Sequence, residues 1–229
     1  MTVLIFFSIA TLVFFLIPFS HVFSHVEHYK SLKLLKYGLY FNDKIIGHHT
    51  FEFNKKGDFL YVRGAGNFVV NKLGVSLFDF KTVSEEVFKK GKLIKFSSKT
   101  TQNKKQKFCN IKLENNKLII EGSSYNGISE SNLPVGTWWN HEIIKFSKQI
   151  SPISGRLLPQ NVNFLGKKDI IINKKPFKSI HFYFLSDDDQ PNDKKKLNIN
   201  IWYDQKSLLW IKSSYEKFGL WEYRLLEVK

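Results

Sequence analysis

The stretch LNINIWYD, residues 197–204, alternates apolar and polar side chains. Every second residue from Leu197 to Tyr203 is apolar, and asparagines or Trp202 stand between them. Only an extended chain turns successive side chains to opposite faces, so this alternation predicts a β-strand with one face in a core. The stretch FEF, residues 51–53, has the same pattern and extends the prediction beyond a single strand.

Turn residues separate further stretches of this kind at roughly ten-residue intervals. Asn42-Asp43, Asn115-Asn116 and Phe218-Gly219 are examples, and such turns join antiparallel strands in a meander. The spacing predicts about twelve strands. Their candidate spans are 34–41, 44–54, 59–70, 75–88, 92–102, 107–114, 117–123, 157–165, 168–173, 177–185, 197–203, 208–215 and 220–228.

One stretch departs from the strand pattern, namely TWWNHEIIKFSKQI at residues 137–150. Its apolar residues recur at the spacing of one helix face, at Trp139, Ile143, Phe146 and Ile150. We therefore predict one short helix over residues 138–149, with Thr137 as its N-cap. Because so wide a sheet curls, the predicted fold is mainly β, an antiparallel meander forming a barrel or half-barrel that this helix plugs or covers.

The first 24 residues have the composition of a signal peptide. No charged residue occurs from Val3 to Phe19, and Val22 and Ser24 suit the positions before a cleavage site. Cleavage there leaves residues 25–229, which we predict to form a single β-rich domain. An uncleaved inner-membrane anchor is the alternative, because Lys and Arg are missing before the apolar run and lysines follow it. Both interpretations predict an exported protein of the periplasm or cell envelope.

The chain is strongly basic, since 35 Lys and Arg against 20 Asp and Glu give a net charge of +15. Only three of these basic residues are Arg, the residue that nucleic-acid-binding proteins favour for phosphates and guanine. We therefore predict no nucleic-acid partner. Two explanations of the charge remain open: a general compositional bias towards Lys, and attraction to anionic lipid or polysaccharide of the envelope.

The histidines and acidic residues do not have the spacing of a metal site. His48 and His49 fall on opposite faces of a predicted strand, so a shared ion would also need His141 or His181. The acidic loop around residues 187–193 lacks the central Gly and closing Glu of an EF-hand. We predict no metal ion and interpret this loop as a solvated hairpin connection.

Cofactor and catalytic motifs are missing from the sequence as well. No GxGxxG, Walker or GxSxG motif occurs, and we predict no cofactor. Cys109 is the only cysteine, so no disulfide forms within the chain, and its FCNI context predicts a buried, inert thiol. These observations favour a non-enzymatic protein over an enzyme.

Aromatic residues are the best candidates for ligand contacts, with core packing as their alternative use. Alternation in IWYD puts Trp202 and Tyr203 on opposite faces, so one of them faces away from the main core. Glu85 and Glu86 also face opposite ways, and we place Glu85 at the concave interior. The candidate ligand-binding residues are therefore Trp138, Trp139, Trp202, Tyr203 and Glu85.

Seven ordered motifs carry a family resemblance: KIIGHHTFEF, EEVFKKGKLIKFSSKT, LPVGTWWN, ISGRL, HFYF, IWYDQKSLL and WEYRL. Over residues 36–226 the sequence resembles an exported bacterial family known as domain of unknown function 6134. It is similar, more distantly, to domain of unknown function 3108. The resemblance implies export and a β-rich fold, and it implies no activity.

The expected function is the binding or carriage of an apolar or lipid-like ligand in the envelope. A structural or interaction role at the anionic membrane surface is the alternative. An envelope enzyme acting on a glycan or lipid is a third possibility, and the discriminating observation is whether the interior is an apolar cavity, a polar cleft or a filled core.

Overall fold

A computed structural model describes residue 29 and residues 31–72, 75–186 and 197–229. Within these ranges, fifteen β-strands and the 3₁₀ helix His141–Lys145 make up the regular structure. The strands are β1 (Leu34–Phe41), β2 (Lys44–Lys56), β3 (Phe59–Lys72), β4 (Val75–Lys89), β5 (Lys92–Gln102), β6 (Lys105–Glu114), β7 (Lys117–Gly122), β8 (Asn126–Glu130), β9 (Lys148–Ile150), β10 (Leu157–Pro159), β11 (Asn161–Ile172), β12 (Lys175–Leu185), β13 (Asn198–Asp204), β14 (Trp210–Glu216) and β15 (Leu220–Val228).

Thirteen of these strands form one antiparallel sheet in the order β11-β12-β13-β14-β15-β1-β2-β3-β4-β5-β6-β7-β8. Neighbouring strands are consecutive in the chain, except that β15 returns to pair with β1. β9 and β10 form a separate hairpin. The mainly β, antiparallel meander predicted from the sequence is confirmed.

The sheet curls so that its two halves enclose one core. Phe184 of β12 and Ile111 of β6, from strands far apart in the sheet order, belong to the same buried apolar cluster. β8 and β11 are the two edges and do not pair with each other, so we call the sheet a half-barrel. Curling buries the apolar face of a sheet that is too wide to stay flat.

Residues 131–160, here called the inner segment, connect β8 to β11 and fill much of the half-barrel. Trp139, Ile143 and Ile150 of this segment are almost completely buried. Small residues on the sheet make room for it: a Cβ atom on Gly122 would lie 2.3 Å from the backbone oxygen of Ser154. The inner segment therefore fits closely against the concave face of the sheet.

The short helix predicted over residues 138–149 is confirmed, but its bounds are the narrower His141–Lys145. Trp138 has a φ of 59°, in the left-handed region, so a right-handed helix cannot include it. Asn140, and not Thr137, is the N-cap, and its Oδ1 accepts a backbone N–H of the first turn at 3.1 Å. Packing inside the half-barrel thus overrides the helical pattern on either side.

The strand predictions differ from the structure mainly beside the inner segment. β8 and the short strand β9 were not predicted, and the spans 157–165 and 168–173 correspond to β10 followed by one long strand, β11. Gly166, with a φ of 109°, lies at a register shift in β11. The glycine marks a β-bulge, which a sequence pattern does not distinguish from the end of a strand.

The alternating turns of the meander define two ends of the half-barrel. The β1–β2, β5–β6, β7–β8 and β14–β15 connections share one end, here called the β1–β2 end, and strands β3 and β12 also end there. Asn42 of the β1–β2 turn and Leu220 after the β14–β15 turn exchange two hydrogen bonds of 2.8 Å. These bonds hold two turns from opposite ends of the chain side by side.

Two predictions lie outside the described residues: the signal peptide or anchor at residues 1–24, and the acidic loop at residues 187–193. In the ranges that the structure describes, no helix has the length and apolar character to cross a membrane.

Candidate functional site

A row of inner-face residues near the β1–β2 end forms an apolar cluster separate from the main core. Leu39, Phe68 and Phe80 are its buried members, contributed by β1, β3 and β4. Gly47 of β2 stands in register between Leu39 and Phe68, and a Cβ atom there would lie 2.5 Å from the Cβ of Phe68. Because Gly47 has no side chain, Phe68 can pack closely against the backbone of β2.

Aromatic rings from both halves of the half-barrel meet at this cluster. The Phe68 and Phe80 rings stack with their centroids 4.7 Å apart, and Phe78 stacks on Phe68 at 5.7 Å. From the other half, Trp221 meets Phe78 edge to face at 5.6 Å and stacks on Tyr215 at 5.8 Å. Stacked and edge-to-face pairs of this kind are favourable aromatic arrangements, so the rings form a defined wall.

This wall lines a cavity of about 300 Å³ that is open to solvent on one side. Ile199 of β13 and Trp138 and Ile153 of the inner segment line other sides of it. The volume is about twice the roughly 150 Å³ of an apolar cavity known to hold benzene. It therefore has room for a molecule about the size of two fused aromatic rings or a short acyl chain.

Trp138 is the unusual residue of the cavity wall. Its backbone is held in the left-handed region, where its carbonyl oxygen accepts a 3.1 Å hydrogen bond from the Tyr203 hydroxyl. Its indole packs edge to face against Trp210 at 5.7 Å. The indole Nε1 is buried and finds no acceptor among the described residues. A buried donor without an acceptor carries an energetic cost, which a ligand acceptor would remove.

The charged group nearest the cavity is engaged elsewhere. Glu222 borders the cavity, but its carboxylate contacts Lys212 at 2.5 Å and also pairs with Arg224. Burial raises its pKa, but the hydrogen bonds and charges of the two cations outweigh burial and hold the pKa below the usual range. The carboxylate is therefore an ion-pair partner and not a free group facing a ligand.

A second buried polar group lies in the main core. Glu86 accepts a 2.8 Å hydrogen bond from Nε1 of Trp139, and burial raises its pKa from 4.5 to about 7 despite hydrogen bonds from Trp139 and Thr137. Nearby, the Tyr29 hydroxyl lies 2.7 Å from Nδ1 of His141. These groups have almost no solvent access, so the arrangement anchors the inner segment and offers no open catalytic surface.

The structure separates the five candidate residues predicted from the sequence. Trp138 lines the cavity, whereas Trp139 and Tyr203 are buried core residues outside its wall. Glu85 is exposed on the outer face, so the prediction that it faces the concave interior is wrong, and Glu86 lies there instead. Glu86 shares its strand face with the buried Phe88, and this parity was the available signal.

Of the adjacent residues Trp202 and Tyr203, Trp202 faces outward. The alternation of the strand predicted that one of the two would do so. His181 stacks on the Trp202 ring at 4.2 Å with an interplanar angle of 12°. Lys212, on the opposite neighbouring strand, places its Nζ 5.3 Å from the ring centroid. Because its own chain covers both sides of the ring, Trp202 is not an open stacking platform.

The histidines do not come together. His48 is exposed on the outer face, and His49 lies on the inner face against Phe51, with ring centroids 4.5 Å apart. Burial lowers the pKa of His49 to about 4, so its imidazole is neutral at pH 7. Within the described part of the chain, no three His, Cys, Asp or Glu residues lie close enough to hold a metal ion.

Cys109 is buried as predicted, and burial raises the pKa of its thiol to about 12. A thiol with so high a pKa carries almost no thiolate at neutral pH, so it is a poor nucleophile.

Apart from Trp138, the residues that build the cavity wall were not identified from the sequence. Phe78 and Phe80 alternate in the stretch FDF, which indicates one shared face, and Trp221 is the second residue of a predicted strand. Their meeting depends on the curling of the sheet, for which the sequence contains no local signal.

Together, a wide antiparallel sheet that curls around its core and an apolar cavity near one of its ends define a β-barrel-like protein. The model of the family described as "Domain of unknown function (DUF6134)" matches residues 37–226, and the chain belongs to this family. No curated protein matches the chain.

A solved structure supports the architecture. The chain is similar to a crystal structure described as a beta-barrel-like protein of domain of unknown function DUF1849 from Brucella abortus, with a TM-score of 0.58. The match covers 86% of this chain and 97% of that chain at 13% sequence identity. At this identity the likeness concerns the fold alone.

Proposed function

We propose that this protein is a non-enzymatic binding or carrier module for an apolar or lipid-like ligand, exported to the periplasm or cell envelope. The observation that carries the proposal is the cavity of about 300 Å³ bounded by Phe68, Phe78, Phe80 and Trp221. Small-molecule sites are typically concave and mostly apolar, with a few polar groups that fix orientation. The indole N–H of Trp138 is our candidate for such a group: it has no acceptor among the described residues, and because Nε1 is fully covered a ligand would reach it after a shift of the ring.

The ligand that fits these features is apolar over most of its surface and carries one hydrogen-bond acceptor. An acceptor placed at Nε1 of Trp138 would satisfy a donor that is otherwise buried without a partner. A long acyl chain would exceed the cavity, so a short chain or a compact ring system fits best.

Filling the cavity tests the proposal directly. Ile153→Trp places extra volume at the cavity wall and should weaken binding of the fluorescent probe N-phenyl-1-naphthylamine at least about tenfold. Ile128→Trp is the matched control, because Ile128 is exposed on the edge strand β8 and lies outside the cavity. Equal probe binding by the two variants, both shown to be folded by circular dichroism, would overturn the proposal.

Trp138→Phe tests the role of the indole N–H. It should weaken binding of 1-acetylnaphthalene about two- to tenfold and leave binding of 1-ethylnaphthalene unchanged, because only the first ligand carries an acceptor. Equal losses for both ligands would show that Trp138 contributes shape alone.

Export rests on the charge-free run from Val3 to Phe19. N-terminal sequencing of the protein from the native envelope should find His25 first. Recovery of intact Met1 in the membrane fraction would instead favour the anchor. We also propose that the resemblance to domain of unknown function 3108 reflects a shared half-barrel, which a solved structure of that family would test.

A further inference from the structure

The cavity lies close to the β1–β2 end of the half-barrel. Its lining residues include Gln102 at the end of β5, Asn198 at the start of β13, and Tyr215 and Trp221 on either side of the β14–β15 turn. A partner surface that binds this end of the half-barrel would therefore lie close to the proposed ligand site.

The β14–β15 turn at this end has an unusual sequence. Most other described turns place Asn, Asp, Lys or Gly in the left-handed region, as at Asn42-Asp43 and Asn115-Asn116, and Leu208 of the β13–β14 turn is an exception. The β14–β15 turn places Phe218 there, with a φ of 57°, and leaves its side chain 95% exposed. A bulky residue with positive φ is strained, and so exposed a ring adds nothing to the core. Neither local geometry nor packing explains a phenylalanine at this position.

Further apolar side chains are exposed at the same end of the half-barrel. Leu220 follows the same turn, Ile45 follows the adjoining β1–β2 turn, and Leu77 lies near the start of β4. Ile45 and Leu77 are more than half exposed, at 52% and 54%. The hydrogen bonds between Asn42 and Leu220 hold the first two of these turns side by side.

Lysines accompany these apolar side chains. Exposed lysines lie on three connections of the β1–β2 end, at Lys44, Lys104, Lys105 and Lys217. Of the acidic residues that the structure describes at this end, Asp43 contacts Arg224 at 2.6 Å, whereas Glu216 and Asp79, which is hydrogen-bonded to the turn that holds Lys104, are exposed near the lysines. Exposed apolar residues and lysines at one end of a protein are the combination that binds an anionic lipid surface.

We propose that the β1–β2 end docks on an anionic phospholipid bilayer, with Phe218 inserted among the headgroups and the neighbouring lysines against lipid phosphates. The docking itself stands on Phe218 and the lysines. Its purpose, the exchange of an apolar ligand between the bilayer and the cavity, rests on the proposed function.

A position-specific label tests this orientation in the full chain. Cys109 is buried with a raised thiol pKa, so Phe218→Cys provides one reactive thiol for an NBD fluorophore. Ile171→Cys is the matched control, because Ile171 is 77% exposed and lies at the opposite end of the half-barrel. Each labelled protein is mixed with vesicles of phosphatidylethanolamine and phosphatidylglycerol, and with vesicles of phosphatidylcholine alone.

The expected result is a blue shift and quenching by brominated lipids for the label at residue 218 and not for the label at residue 171, on the anionic vesicles only. Replacing Lys104 and Lys217 with Gln should raise the vesicle concentration for half-maximal shift about fivefold per lysine. The matched pair of replacements, at Lys56 and Lys174 of the opposite end, should leave it unchanged.

Equal responses of the two labels would overturn the docking, because an attachment elsewhere in the chain does not distinguish the two ends. A response of the label at residue 218 that is independent of lipid charge would overturn the role of the lysines. Failure of the proposed function would be seen in a separate experiment, the titration with the fluorescent probe in the absence of vesicles. There, Ile153→Trp and Ile128→Trp would bind the probe equally well.

Discussion

Replacing Trp139 with Ala should be among the most destabilising single changes in the described chain. The indole is completely buried, with ring centroids at 5.2 Å from Tyr29, 5.2 Å from Phe53 and 5.7 Å from Phe88. Truncation of a large buried aromatic residue costs about 3–5 kcal/mol, because it loses buried area and leaves a cavity. Three edge-to-face contacts and the hydrogen bond to Glu86 place Trp139 in the upper half of this range.

Denaturant titration followed by circular dichroism measures this cost as a shift in midpoint at constant slope. A typical domain is stable by about 5–15 kcal/mol, so Trp139→Ala should lose a large fraction of the total. Trp139→Phe keeps a ring in the same space and should lose less. Phe218→Ala is the control, because its exposed side chain should change stability by no more than about 0.5 kcal/mol.

The refuting result is a cost below about 1.5 kcal/mol for Trp139→Ala together with altered binding of an apolar probe. That outcome would make the inner segment a movable lid over a larger cavity and not a part of the core. The distinction decides whether ligand entry requires the segment to move or only the β1–β2 end to be accessible.

Three further predictions follow from burial and spacing. Because the pKa of Glu86 is about 7 when folded and 4.5 in its ordinary state, the folded protein binds the extra proton, and stability should fall by about 3 kcal/mol as pH rises through this window. Glu86→Gln should remove that dependence in urea titrations at pH 4.5 and 8. Gly122→Ala should cost about 1–3 kcal/mol by thermal unfolding, since its methyl meets the backbone of Ser154, and Gly127→Ala less, since its methyl meets only the Tyr125 side chain. Exhaustive chelation should leave the melting temperature unchanged, because the described residues offer no cluster that could hold a metal ion, and a drop of several degrees would contradict this.

The strands could be predicted because alternation and turn residues are local. β1 and β5 begin and end at the predicted residues. β5 lies between the turns Lys90-Gly91 and Asn103-Lys104, and β1 ends at the turn Asn42-Asp43. β8 was missed because its sequence, NGISE, is short and carries only one large apolar side chain. The helix was predicted too long because the same apolar spacing also occurs in an irregular segment that packs inside a half-barrel. Trp139 and Ile150 are buried in this way, outside the helix His141–Lys145.

The candidate site was predictable only in part. Trp138 was identified as a ligand residue and lines the cavity, whereas Trp139 beside it lies in the core. Two adjacent tryptophans look equivalent in a sequence, and the left-handed backbone of Trp138 separates their directions. Strand parity could have favoured Glu86 over Glu85, because parity is a local property that needs no knowledge of the fold.

The sequence by itself determined the class of fold, most of the strand positions and which residues share a face within those strands, because these depend on periodicity over a few residues. Only the tertiary structure decided that β15 pairs with β1, that Phe68 and Trp221 meet at one cavity, and that both sides of the Trp202 ring are covered. Contacts between distant strands depend on how the whole sheet curls and on what fills its interior, and no single stretch of sequence carries that information.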